Sequence, residues 1–187
     1  MKVLFRRSSL YDQALKREKK FSKAPKDEIL YAHMRKIEKE WTKHSGKILK
    51  ELSKITKLKW REKEIVAYVT WGVIPYSNPL TLNLRSDIDT LTHELIHRIL
   101  SEWGNWQLIK KSWIGLMKKY KTESQTTRVH IVVHAIHALL LKKLFGEKRL
   151  KKEKKTVRDP QYIRSWEIAE RNGYENIVKE LTRNLKS

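Results

Sequence analysis

His93, Glu94 and His97 stand in the order His-Glu-x-x-His, inside the stretch T-H-E-L-I-H at 92–97. On a helix, residues four apart share a face and lie one turn apart. Two imidazoles at that spacing can present ring nitrogens to one metal ion. A carboxylate beside the first can then take a proton from metal-bound water. The metal draws the pKa of that water toward neutrality and the carboxylate completes its activation. The chemistry indicated is hydrolysis, with His93 and His97 as ligands and Glu94 as general base. The competing reading is a pair of hydrogen-bonded core histidines with Glu94 on the surface.

A catalytic zinc takes three protein ligands and keeps one position open. Five of the seven histidines fall in two short stretches, His93 and His97, then His130, His134 and His137. The last three share one face of an otherwise Val/Ile/Leu segment, where histidines are costly to bury without a purpose. His134 is the favoured third ligand because it lies mid-helix. His130 and Glu123 are the alternatives. Histidines left over could orient a ligand or stabilise an oxyanion, a role also open to Tyr68 and Tyr76. One Zn²⁺ per chain is the default metal, and Co²⁺, Ni²⁺ or Fe²⁺ would also suit such donors.

The motif needs a helix, and the sequence supplies one over about 87–102. Ser86 or Asp87 can cap it, Ser86 with Asp89 resembles a capping box, and Gly104-Asn105 can end it. Ile88, Leu91, Leu95 and Ile99 form its apolar faces. The second cluster lies on a predicted helix over 127–145, closed by Gly146. Ahead of the motif, 65–71 and 80–84 read as strands, the second half-buried or at an edge. Asp27 to about Leu58 has helical spacing, with Gly46 expected to break or bend it. Further helices are predicted over 106–121, from Asp159-Pro160 to Gly173, and over 174–185. The expected architecture is α+β: a predominantly helical single domain over 27–187, with a small antiparallel sheet packed against the motif helix. Leu91, Leu95, Ile99, Val133, Ile136 and Leu140 are expected in the core. Residues 65–145 would hold the metal-site core, 147–158 a basic linker, 159–187 the C-terminal helices, and 1–26 a basic N-terminal arm.

The chain has 187 residues, no cysteine and a formal net charge of +21. Disulfides and cysteine-ligated metals are excluded. No secretory signal or membrane-spanning run is visible, so a soluble, cytoplasmic protein is expected. The charge excess favours polyanions and makes non-specific nucleic acid a candidate partner. A lysine-rich surface without cysteine also fits heat adaptation. Basic runs at 16–26 and 147–158 read first as solvated. Trp41, Trp113 and Trp166 fall on apolar helix faces and are expected in the core.

The H-E-L-I-H run, a preceding strand and a downstream ligand-bearing helix together resemble the zincin metallopeptidases. The likeness covers roughly 65–145, and only the five-residue motif is specific. The third histidine of the metzincin and WLM patterns is missing, since that position is Trp103. The layout is closest to small gluzincin-like archaeal peptidases, although gluzincins use glutamate as third ligand. SprT-like proteases, which cut DNA-bound proteins, share the motif and the basic character, but their zinc-ribbon tail is absent here. The resemblance implies a zinc metallopeptidase acting on a peptide or protein. It also implies that the strand before the helix binds substrate backbone, placing that role on 78–84, with Asn78, Thr81 and Asn83 as contacts. An inactive zinc-binding scaffold on the same fold is a further alternative.

Overall fold

Lys2–Arg7 alternates in burial, with Val3 and Phe5 turned inward and Lys2 and Arg6 exposed, as a half-buried strand must. It is strand β1 in the computed structural model of the chain, which describes residues 1–17 and 25–185. The chain forms two compact units, Met1–Gly46 with Trp60–Arg98, and Lys47–Lys59 with Ile99–Ser187.

The first unit carries a four-stranded sheet in the order β1-β2-β4-β3. β2 (Glu64–Val69) pairs in parallel with β1, Val3 opposite Ile65 and Phe5 opposite Ala67. β4 (Leu80–Leu82) pairs in parallel with β2, and β3 (Tyr76–Ser77) pairs antiparallel with β4. The sheet is therefore mixed, not antiparallel as expected. The reason is connectivity: only β3 and β4 form a tight hairpin, while β1 reaches β2 through a long helical crossover. β1 lies within the stretch read as a basic arm, where Arg6-Arg7 hid its alternation. Most of the basic run at 16–26 lies outside the described residues.

Helix α1 (Ser9–Arg17) follows β1, and Arg7 Nε donates to buried Asp12 at 2.7 Å. α2 (Asp27–Thr56) runs unbroken through Gly46, contrary to the expected interruption. Leu30, Ile37, Trp41, Ile48 and Leu52 are all buried, so the apolar stripe stays in phase on both sides of the glycine. A side chain at Gly46 would meet nothing within 4 Å, so the glycine is not needed for a close approach.

α3 (Ile88–Ser101) is the motif helix. Its cap is Asp87, whose Oδ1 accepts from the amides of Asp89 and Thr90 at 3.0 Å each. Ser86 instead shapes the preceding turn, its Oγ accepting from Asn83 N at 2.9 Å. Gly104-Asn105 does not end the helix as a turn, because both lie in the first turn of α4 (Trp103–Lys119). The Asn105 side chain donates to the carbonyls of Ile99 and Lys59, both at 2.9 Å, so it satisfies the end of α3 from the next element.

In the second unit, α5 (Gln125–Phe145) packs against α6 (Glu147–Thr156), α7 (Pro160–Asn172) and α8 (Tyr174–Thr182). Ser124 caps α5, Asp159 caps α7, and Gly146 and Gly173 close α5 and α7 at positive φ. α5 is buried nearly all round, which is why it reads as an almost continuous apolar run. Residues 147–156, read as a linker, form helix α6. Leu91, Leu95, Ile99, Val133, Ile136 and Leu140 are all buried, as expected. Trp41 and Trp166 are buried, whereas Trp113 is half-buried and meets Trp106 edge-on. Among the described residues, no helix is long and apolar enough to cross a membrane.

Candidate metal centre

The i, i+4 spacing on α3 brings His93 Nε2 and His97 Nε2 to 3.2 Å, with ring centroids 4.9 Å apart. Two imidazoles on one tetrahedral zinc, with Zn–N of about 2.0–2.1 Å, would have nitrogens about 3.3 Å apart. The same distance suits one N–H···N hydrogen bond in the metal-free protein. The neighbouring carboxylate separates the two readings. Glu94 is 8% exposed, not on the surface as the core-histidine reading requires. Burial pushes its carboxyl up to about 7, where a base for neutral-pH hydrolysis is best poised. Ring nitrogens of His93, His97 and His130 all lie within 4.8 Å of one another, close enough to hold one metal ion.

His130 is prepared for that role within its own helix. Its Nδ1 lies 2.8 Å from the Thr126 carbonyl, so Nδ1 carries the proton and Nε2 the lone pair. Burial lowers its pKa, against the opposing pull of the Thr126 carbonyl and Asp159. A neutral imidazole is the form a metal binds.

The favoured candidate, His134, is placed differently. Its ring stacks on Trp166 at 4.1 Å and 7°, and its Nδ1 lies 2.8 Å from Ser165 Oγ. Ser165 gives its own hydroxyl proton to the Tyr162 carbonyl at 2.8 Å, so His134 Nδ1–H is the donor in that contact. His137 is fully buried near Trp166. Glu123 is engaged by Arg164, whose Nη2 is 2.9 Å from its carboxylate. The three donors brought together thus include His130, and neither His134 nor Glu123. Sequence spacing alone could not choose, because all three candidates recur at helical intervals along one segment.

The expected substrate strand also differs. β4 has ladder partners on both sides, Thr81 facing Tyr68 of β2 and Tyr76 of β3, so it is not an edge. Buried Thr81 turns its hydroxyl to the Pro79 carbonyl at 2.9 Å. Asn83 is used within its turn, donating to Val73 O at 2.8 Å and accepting from Arg85 N at 2.9 Å. Asn78 is exposed and accepts from Arg98 at 3.0 Å. The edges of the sheet are β1 and β3, and on β3 Tyr76 is 61% exposed. A recess of about 480 Å³ adjoins it, walled by 71–75 and 83–85.

Arg98 was not foreseen. It follows His97 directly and grips Glu62 with two nitrogens, Nε at 2.9 Å from Oε2. Its Nη1 donates to Ser77 O at 2.9 Å. One guanidinium thus ties the histidine end of α3 to β3 and to the segment entering β2. The only trace in the sequence is a basic residue after the second histidine, which by itself means nothing.

No family model, curated protein or solved structure matches the chain. The reading of the site rests on its own residues.

Proposed function

We propose that the chain is a zinc-dependent metallopeptidase of zincin type, cytoplasmic, with His93, His97 and His130 as ligands and Glu94 as general base. The single observation that carries the reading is the 3.2 Å approach of the two α3 histidine nitrogens beside a buried carboxylate. A structural histidine pair would need no such neighbour. When bound, the metal would supply Lewis acidity and a water of lowered pKa. Glu94 would take the proton of that water and later deliver it to the leaving amine. The β3 edge and the recess beside it are the surfaces this reading assigns to the peptide or protein substrate.

The test is elemental mass spectrometry of the purified protein, followed by a casein assay. One zinc per chain is expected, lost in His93→Ala. Glu94→Gln should keep the zinc and lower turnover by about 10²–10⁴-fold. Absence of any transition metal after zinc addition would reduce the motif to a turn of helix. Zinc with no loss of turnover in Glu94→Gln would remove the assigned base.

A further inference from the structure

α6 carries ten residues, E-K-R-L-K-K-E-K-K-T, and is fixed to the second unit by one side. Leu150 is 4% exposed, Lys154 pairs with Glu170 at 2.7 Å, and Arg149 lies over the Phe145 ring at 6.0 Å. At about 100° per residue, Lys148, Lys151, Lys152 and Lys155 fall within an arc of roughly 100° on the opposite side. All four are exposed. None of them has an ion pair among the described residues, while nearby Lys142 and Lys154 each do.

This arrangement is self-repelling. The four lysines sit at i, i+3, i+4 and i+7, so each has like-charged neighbours at the two spacings that bring side chains together. Glu147, the acid that lines the recess beside the stripe, pairs with Lys142 at 2.8 Å. The stripe walls a recess of about 550 Å³ together with Glu147, Thr156 and Arg158. Arg158 is exposed and folds back on α6, donating to the Lys155 carbonyl at 2.9 Å. An outside polyanion would relieve the repulsion.

We propose that the outer face of α6 binds the sugar-phosphate backbone of double-stranded DNA, independently of any chemistry at the histidines. Two features favour a duplex over a single strand. The recess has no aromatic side chain, and single-strand binding relies on stacking platforms. The lysines are also held along a straight helix over about 10 Å, a length in which a duplex presents about six phosphates. No side chain in the stripe has the planar fork that reads bases, so contact is to the backbone and is sequence-tolerant.

The experiment is fluorescence anisotropy with a 20-base-pair DNA duplex across a salt series. Four lysine contacts predict a log–log slope of about −3.6. Lys151→Gln with Lys155→Gln should reduce that slope by roughly half. A matched pair on α2, Lys39→Gln with Lys43→Gln, should leave it unchanged, which separates the stripe from the diffuse field of the +21 charge. Equal losses in both variants, no binding by wild type at 50 mM salt, or tenfold tighter binding to a single strand or an RNA duplex would each overturn the proposal. Circular dichroism melts of both variants guard against misfolding, and Lys148→Gln with Lys152→Gln provides a second stripe variant.

Discussion

His93 Nε2 and His97 Nε2 stand 3.2 Å apart on one face of α3, and the residue between them in chemistry, Glu94, is buried. The i, i+4 spacing brings the pair together, and packing holds the helix that carries it. α3 is fixed by Leu91, Leu95 and Ile99 on its buried side and by Asp87 at its start. The helix is therefore a rigid platform, which suits a site whose ligands must be held to within about half an ångström.

The choice of third ligand is testable by comparing two histidines one turn apart. His130→Ala should weaken zinc binding by more than about 100-fold, beyond the range seen for residues that only orient a ligand. His134→Ala should leave one zinc per chain, yet destabilise by about 2–4 kcal/mol, because it removes a buried ring stacked on Trp166. Metal titration and thermal melts read the two effects separately. Zinc loss in His134→Ala with retention in His130→Ala would reverse the assignment.

Glu94 makes the stability of the metal-free protein depend on pH. Its carboxyl is raised to about 7 by burial, from 4.5, so the folded state holds its proton more tightly than the unfolded chain. The stabilisation is complete below about 4.5 and is lost as pH rises through about 7. The upper bound is on the order of 3 kcal/mol. Melts in chelator from pH 4.5 to 8 should show this decline on top of other titrations, and Glu94→Gln should flatten it. A Glu94→Gln profile parallel to wild type would show that this carboxyl does not titrate in that window.

Much of this organisation is legible in the chain. H-E-L-I-H, its apolar flanks and the caps at Asp87, Asp159 and Gly146 are local signals: the motif lies on a helix, its flanks are buried and the caps stand at helix ends. What the sequence hides is non-local. The pairing of β1 with β2 depends on a strand 57 or more residues away, and Arg6-Arg7 blurs its alternation. β4 looks like an edge until β3 covers it, and two residues of strand leave no periodic trace. Asn105 reads as a turn residue but acts as a side-chain cap, because Gly104 is tolerated in a first helical turn. His130 and His134 carry the same spacing signal, and only their partners, Thr126 on one side and Ser165 with Trp166 on the other, tell them apart.

Arg98 holds the histidine end of α3 against β3, and its geometry gives the remaining prediction. The guanidinium makes two bonds to Glu62 and donates to Ser77 O and Asn78 Oδ1, with its side chain only 17% exposed. Arg98→Met would strand the Glu62 carboxylate and the Ser77 carbonyl, at a cost of about 2–3 kcal/mol. Hydrogen exchange should accelerate in the hairpin 76–82 while zinc stoichiometry stays at one. Arg98→Lys keeps the charge but lacks the planar fork, and can recover only part of the loss. If Arg98→Lys melts and exchanges like wild type, charge alone suffices and the two-nitrogen grip on Glu62 is incidental. If it behaves like Arg98→Met, the fork itself sets the distance between the motif helix and the strand edge where a substrate would lie.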